Sequence, residues 1–584
     1  MGIFSKFASR PTAITRPIAS ESNISGLNEP VVLDGRLTYT VAQANNGSRA
    51  VYQEAAGAPV ESKSPLGYHV GWAGVMFLNV NEMIGTGIFS TPGTVLNRSG
   101  SVGLALFFWV IGIFLAFSGF SVYLELASYF PNRSGSKVVY LEQAYPRPRY
   151  LFPITFAVYS VVLSSEASNA IILSDYLWAL GGLKPTAWQE KGVAVAAYTV
   201  AVICVLLNTK FSLWAVNIIG GLKITTLVFI SITAFVVLGG HVSRVPDPGI
   251  NFRNAFEGTT TSGYDLSVAI VNIIFAYTGY ANAFSVVNEI KNPIPTLKKH
   301  GAIPVAIVSV LYILCNIAYF SAVPKEVFAE SKTTAASVFF GTVFGSGDAQ
   351  KALNFLVLLS AFGNLLAVLI GQSRLIREIG RQGVLPFTTF WVSTKPFGTP
   401  LGPYAWSWLL TTIVILAPPP GDAFQFIISL KTYPDSIFNL ALFFGVYLLR
   451  HRYKQLGRAR PEFKTWHIVL LFFGLAQLYT LATPWIPPKG GVYAGEVSFW
   501  YATYIVVGIG MMHILPKWGS YQIRPEMLVV EDRGANTHRL VKVPLAELEK
   551  WDEEHDEAGH LHQRPEIHSF HSSCEETMEV EKKV

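Results

Sequence analysis

Charged residues are scarce in this chain of 584 residues: Asp, Glu, Lys and Arg together make 14% of it, against about 25% in a soluble domain. Hydrophobic residues make 51% and aromatics 13%. The apolar residues gather in repeated runs near or above the ~20 needed to cross hydrocarbon. That excludes a soluble globular or disordered chain and predicts an all-α, polytopic membrane protein. Cysteine is nearly absent. Cys204 and Cys315 lie in apolar runs and Cys574 in the tail, so no disulfide framework is expected. Early apolar residues are also lacking, which argues against a cleavable signal peptide and gives targeting to the first membrane helix. "MGIFSK" carries Lys6 where a myristoylation motif needs Ser or Thr. No catalytic triad, metal cluster or phosphate loop stands out, so neither an enzyme nor a cofactor is expected.

The apolar runs place about twelve spanning helices at 70–96, 103–130, 150–180, 192–208, 212–240, 265–290, 300–323, 350–378, 401–418, 424–450, 464–485 and 498–516. Around this core of residues 66–516 lie an N-terminal tail, 1–65, and a C-terminal tail, 517–584. The latter, with acidic clusters and the His-rich run 555–571, reads as a solvated, partly disordered tail rather than a metal site. Alternate loops are rich in cations: Arg133, Lys137, Arg147 and Arg149; Lys291, Lys298 and Lys299; Arg377, Arg381 and Lys395; and the run from Arg450 to Lys464. The positive-inside bias puts both termini in the cytoplasm. The same asymmetry accounts for much of the net charge of +6 without a nucleic-acid partner.

Two spans carry interruptions. "VNEMIGTGIFSTPG", residues 80–93, breaks the first at Gly85-Thr86-Gly87, and "IIFAYTGYANAFSVVNEIKNP", residues 273–293, breaks the sixth. Each opens a five-helix half, which suggests an inverted repeat with a site between the halves. Unwound backbone in a membrane costs several kcal/mol per unpaired group unless a ligand, water or protein supplies partners. The half-helix starting near Ile88 offers free N–H groups and a positive dipole end to a carboxylate. Carbonyls from Ala276 to Gly279 suit an ammonium. Together they describe a receptor for an amino acid zwitterion, although glycines in such helices also serve close packing.

At this point the residues resemble a known family. "IGTGIF", "NEIKNP" and "SRLIREIGRQGVLP" look like the amino acid-polyamine-organocation superfamily, in its L-type amino acid transporter branch. "NFRNAFEGT", "NIAYFSAVPK", "ILAPPPGDAF" and "LPKWGSY" are similar to the fungal high-affinity methionine permeases. The resemblance implies a LeuT-like fold with a 5+5 inverted repeat and broken helices 1 and 6. It also implies a substrate site lined by Ile84, Gly85, Thr86, Gly87, Phe275, Ala276, Tyr277, Gly279 and Asn282. Animal members join a heavy subunit through a cysteine between helices 3 and 4; "GGLKPTAWQEKG" has none, so no disulfide-linked subunit is expected. Lys6, Lys63 and Lys550 are candidate acceptors for ubiquitin-ligase machinery, as in similar permeases.

Ionisable residues inside spans mark function. Lys223 lies about eleven residues, roughly 16 Å, into the fifth span. By resemblance it stands where sodium-coupled relatives hold a cation, either exchanging protons or bracing helix 1. Glu166, mid-way along the third span where methionine permeases carry a small residue, either recognises a side chain or carries a proton, or is a protonated acid bonded to a neighbouring helix. Glu82, a turn before the first break, and Glu289, at the end of the sixth span, are gate candidates. Lys431 and Asp435, flanking Pro434 in the tenth span, read as a local pair or gate, and Asn364 and Gln372 as scaffold hydrogen bonds. The expected function is alternating-access import of methionine or a related neutral amino acid with protons, at the plasma membrane. A non-transporting sensor and an uncoupled exchanger are the alternatives.

Overall fold

The computed structural model describes residues 31–34, 37–43, 50–61, 64–148, 150–163, 166–331, 334–345, 347–417, 423–458, 460–487, 521–531 and 535–555. The first span is two helices, α1 (Trp72–Met83) and α2 (Gly87–Ser99). The second is α3 (Val102–Tyr129), followed by the short α4 (Lys137–Ala144). The third is α5 (Leu151–Val158), a π-helical turn, Tyr159–Leu163, and α6 (Ala167–Gly181). The fourth and fifth are α7 (Ala187–Leu207) and α8 (Thr209–Leu238). The sixth is α9 (Gly263–Tyr277) and a 3₁₀ helix, Asn282–Glu289. The seventh runs from α10 (Pro293–Thr296) through a π-helical turn into α11 (Ala302–Ala322). Beyond it come α12 (Lys325–Ala329) and α13 (Ala335–Phe344), which precede the eighth span, α14 (Asp348–Arg381). After α15 (Thr388–Val392), α16 (Leu401–Leu416), α17 (Ala423–Gln455) and α18 (His467–Ala482) are the ninth to eleventh. The expected twelfth, 498–516, lies outside the described residues.

Local chemistry sets these boundaries. Ser101 starts α3 by accepting from the Leu104 amide, and Asn208 starts α8 by accepting from that of Phe211 at 3.1 Å. Thr186 and Gln189 form a capping box at α7. Seven described helical segments are long and apolar enough to cross a membrane. The first, third, ninth and tenth spans are not among them: the first and third are divided into shorter helices, the ninth has 16 residues, and the tenth carries Lys431, Asp435, Arg450, Arg452 and Lys454 along its length. Large apolar side chains such as Trp214, Ile232 and Phe235 on α8 are exposed, as a lipid-facing surface requires. Inside, α8 packs on α11, α1 and α14, and α2 packs on α9. α17 continues through Pro434 as one helix.

The C-terminal tail, expected to be solvated and partly disordered, carries a strand pair, and the N-terminal tail carries a sheet. β1 (Val31–Asp34), β2 (Leu37–Gln43) and β3 (Ala50–Glu54) form an antiparallel sheet, and β4 (Tyr521–Glu531) pairs with β5 (Ala535–Pro544). β2, "LTYTVAQ", has the two-residue alternation of a half-buried strand, and Tyr39 is buried. Low overall hydrophobicity hides so short a pattern. Most of the His-rich run lies outside the described residues.

The extended segment after β3 lies against the ends of α4, α14 and α17. The Glu54 amide donates to Gln143 at 2.6 Å and the Ala58 amide to Glu142 at 3.2 Å. Tyr453 donates to the Tyr52 carbonyl, and Arg458 stacks on the Tyr52 ring at 3.8 Å. Glu61, fully buried, takes Arg377 in a bidentate pair at 2.7 and 3.2 Å, and also meets Arg381 and Asn288.

Candidate functional site

The site is built where the first and sixth spans lose their helical hydrogen bonds. α1 ends with four carbonyls that lack a following turn, and neighbouring spans supply donors to each. Lys223 Nζ, buried on α8, donates to the carbonyls of Asn81 at 2.8 Å and Ile84 at 2.7 Å. Asn364 on α14 donates to those of Asn81 and Glu82 at 2.9 and 2.8 Å. Ser360 adds a bond to Ile84 at 3.1 Å, and Tyr312 on α11 donates to Met83. A cation at the negative end of a helix is electrostatically favoured. Lys223 therefore braces helix 1 in this conformation, with Asn364 as a second brace.

On the other side of the break, the amides of Gly85, Thr86 and Gly87 have no acceptor among the described residues, whereas those of Phe89 and Ser90 are taken by the Thr86 carbonyl. These N–H groups lie at the break and the first turn of α2. In the sixth span the Ala276 carbonyl accepts from Tyr312 at 3.2 Å and that of Gly279 from the Asn282 amide. The Tyr277 and Thr278 carbonyls are the ones with no donor among the described residues.

The two breaks are pressed together. A Cβ on Gly87 would lie 2.7 Å from Ala276 Cα, and one on Gly279 2.6 Å from the Met83 nitrogen. Gly279 also has φ +123°, a region other residues avoid. Close packing and an open hydrogen-bond surface are thus the same feature. Glu82, Phe275 and Tyr280 are half-buried and Thr278 is exposed. Irregular backbone at membrane depth is tolerated only where it is buried in protein or lines a water-filled cavity.

The remaining expected residues divide. Asn282 is buried and donates to the Ala367 carbonyl at 3.0 Å, so it ties the sixth span to α14. Tyr277 donates to the Trp109 carbonyl at 3.0 Å, leaving only its backbone facing the break. Glu166 is not mid-helix. It caps α6 after the π-helical turn, a third interruption that no glycine or proline announces. Lys431 and Asp435 do not pair with each other: Lys431 bonds Glu166 at 2.8 Å, and Asp435 bonds Lys137 of α4. Four residues apart on a helix they share a face, but each reaches a different neighbour. Asn169, which the sequence did not single out, accepts from Thr86 at 3.1 Å and donates to Glu166 at 3.5 Å. Glu82 lies within electrostatic reach of Lys431, Glu166, Lys137 and Asp435.

The family pattern described as amino acid permease matches residues 70–511. The chain belongs to this amino acid permease family. It is 37% identical to the high-affinity methionine permease of Saccharomyces cerevisiae over 466 residues, covering 77% of this chain and 80% of that one. It is 25% identical to the same organism's low-affinity methionine permease over 547 residues, covering 90% and 99%. It is 29% identical to the b(0,+)-type amino acid transporter 1 of Mus musculus over 386 residues, covering 65% and 75%. These are permeases and transporters, and this permease is not an enzyme.

In the permease, Glu289 finds a partner that the sequence analysis did not name. Arg374 donates to it at 2.8 Å with both side chains almost wholly buried, and also to Tyr404 and Ser373. Arg133, Arg377, Arg381 and Arg450, all counted as loop cations, are likewise buried or nearly so against Glu378, Glu61 and Glu125. Arg374, Arg377 and Arg381 recur at three- and four-residue spacing, the one sequence signal of a shared helix face.

Proposed function

We propose that this permease imports methionine or a related neutral amino acid, with protons, by alternating access across the plasma membrane, both tails being cytoplasmic. The observation that carries the reading is the pair of apposed breaks. The amides of Gly85, Thr86 and Gly87 and the carbonyls of Tyr277 and Thr278 have no partner among the described residues, and the two breaks that carry them lie in contact. That is the complement of a zwitterion: carboxylate on the helix N-terminus, ammonium on the carbonyls. The high-affinity relative's printed substrate supports methionine, and the cation-rich loops support cytoplasmic tails.

A second reading, exchange without proton coupling, is favoured by one observation. Lys223 is already held by two carbonyls and serves as a fixed ion without changing charge. Radiolabelled methionine uptake in a permease-deficient fungal host, at acidic and neutral pH, separates the two. Uptake that rises with acidity and stops when the pH gradient is collapsed supports symport; uptake indifferent to the gradient supports exchange. Thr86→Pro and Gly279→Leu are expected to abolish uptake with surface expression retained. Normal uptake by either removes the site. Ligand binding without accumulation would mark a sensor.

A further inference from the structure

The zwitterion site leaves open what meets the substrate's side chain. Glu166 is an unsuitable recogniser: its side chain is 2% exposed, its amide faces Thr411 at 3.3 Å, and one carboxylate oxygen is held by Lys431 at 2.8 Å. Lys431 is different. Its side chain is 32% exposed, and its ammonium carries three N–H donors, of which Glu166 is the one acceptor found for it among the described residues.

That exposure faces inward. Lys431, Asp435 and Asn439 lie at successive four-residue steps on α17, and they bond Glu166 of the third span, Lys137 of α4 and Tyr123 of α3 respectively. A helix face with partners on three other elements is not a lipid face. Lys431 is also within electrostatic reach of Glu82, one turn before the first break. A continuous chain of hydrogen bonds, Thr86 to Asn169 to Glu166 to Lys431, joins the proposed carboxylate site to this ammonium. Tyr159 donates to the Lys431 carbonyl at 3.1 Å and packs on Phe438 at 5.3 Å, giving the lysine aromatic neighbours. This stretch of α17 therefore combines an aromatic pair, Tyr159 and Phe438, with a half-buried cation for which one acceptor is found among the described residues.

Resting on the reading above, we infer that Lys431, held by Glu166, sets side-chain selectivity by donating a hydrogen bond to the substrate. It favours neutral amino acids of methionine's length whose side chain carries an acceptor. The thioether of methionine is a weak acceptor; a sulfoxide oxygen is a strong one, and a methylene is none. Norleucine replaces the sulfur by a methylene at nearly the same size, and the sulfoxide adds a single acceptor oxygen, so the compounds differ chiefly in the acceptor they offer.

The test is competition against radiolabelled methionine uptake by norleucine and by methionine sulfoxide, in the natural permease and in the Lys431→Met/Glu166→Gln double variant. Both charges are replaced together because removing one would strand the other in the interior. Methionine sulfoxide is expected to compete about tenfold better than norleucine in the natural permease, the scale of a hydrogen bond to a charged group, and this ratio is expected to fall to about one in the double variant. Norleucine competing equally or better in the natural permease, or a ratio unchanged by the double substitution, would overturn the inference. If the double variant does not reach the surface, the two compounds are compared by thermal shift on the purified natural and double-variant proteins, and a preference unchanged by the substitutions overturns the inference. If methionine is not taken up, the functional reading fails separately, and thermal shifts of the purified natural permease against the double variant with the two compounds still decide the role of Lys431.

Discussion

Lys223 shows how one side chain is read differently once its neighbours are placed. Its depth in an apolar span made it a functional candidate, and its Nζ then proved to be one of two donors on the Asn81 carbonyl and one of two on that of Ile84. Replacing it with Met leaves Asn364 and Ser360 as the remaining donors. The expected loss is about 1–3 kcal/mol, with about 1 kcal/mol for Ser360→Ala alone. Together they strip the Ile84 carbonyl of both donors, so the double variant is expected to lose at least ~0.5 kcal/mol more than the sum. Thermal unfolding of the detergent-solubilised protein measures this; additive losses would mean that the two donors do not share a cap.

Among the elements, the breaks in the first and sixth spans depend on backbone contact. Gly279→Ala places a Cβ 2.6 Å from the Met83 nitrogen at φ +123°. Strain of about 1–3 kcal/mol and separation of the two breaks are expected, seen as a lower unfolding midpoint and lost methionine uptake. Gly221, inside α8 with nothing within 4 Å of the same construction, is the control. Gly221→Ala is expected to leave stability unchanged or raise it by up to about 1 kcal/mol. Equal behaviour of the two variants would refute the contact as the reason for glycine. These two breaks were legible because glycine marks them. The interruption before α6 was not, since Glu166 follows a π-helical turn made of Tyr159–Leu163, residues that also suit an ordinary helix.

For the whole molecule, the N-terminal segment is a structural member rather than an appendage. Glu61 joins Arg377 and Arg381 of α14 to Asn288 at the end of the sixth span. Those ends belong to different spans, the eighth and the sixth. Glu61→Gln leaves the buried Arg377 without its carboxylate, for which a loss of about 3–5 kcal/mol is expected; adding Arg377→Met should restore part of it. The exposed Arg253–Asp247 pair, at 71% and 37% side-chain exposure, should cost no more than about 1 kcal/mol when broken. Midpoints from thermal unfolding compare the two, and equal costs would show that the Glu61 contact is not a buried tie.

The sequence by itself determined the solvent of the fold, the run of helices and the location of the paired breaks. Each of these follows from properties carried along the chain: hydropathy over about twenty residues, and glycine where helical geometry fails. It did not determine which charges meet. Glu166 with Lys431, Asp435 with Lys137, Glu289 with Arg374 and Glu61 with Arg377 are separated by 265, 298, 85 and 316 positions, and only helix packing brings them together. A buried charge is stable only when its partner is delivered. That delivery is a property of the tertiary structure, and it decides which of the permease's ionisable residues are paired and with which partner.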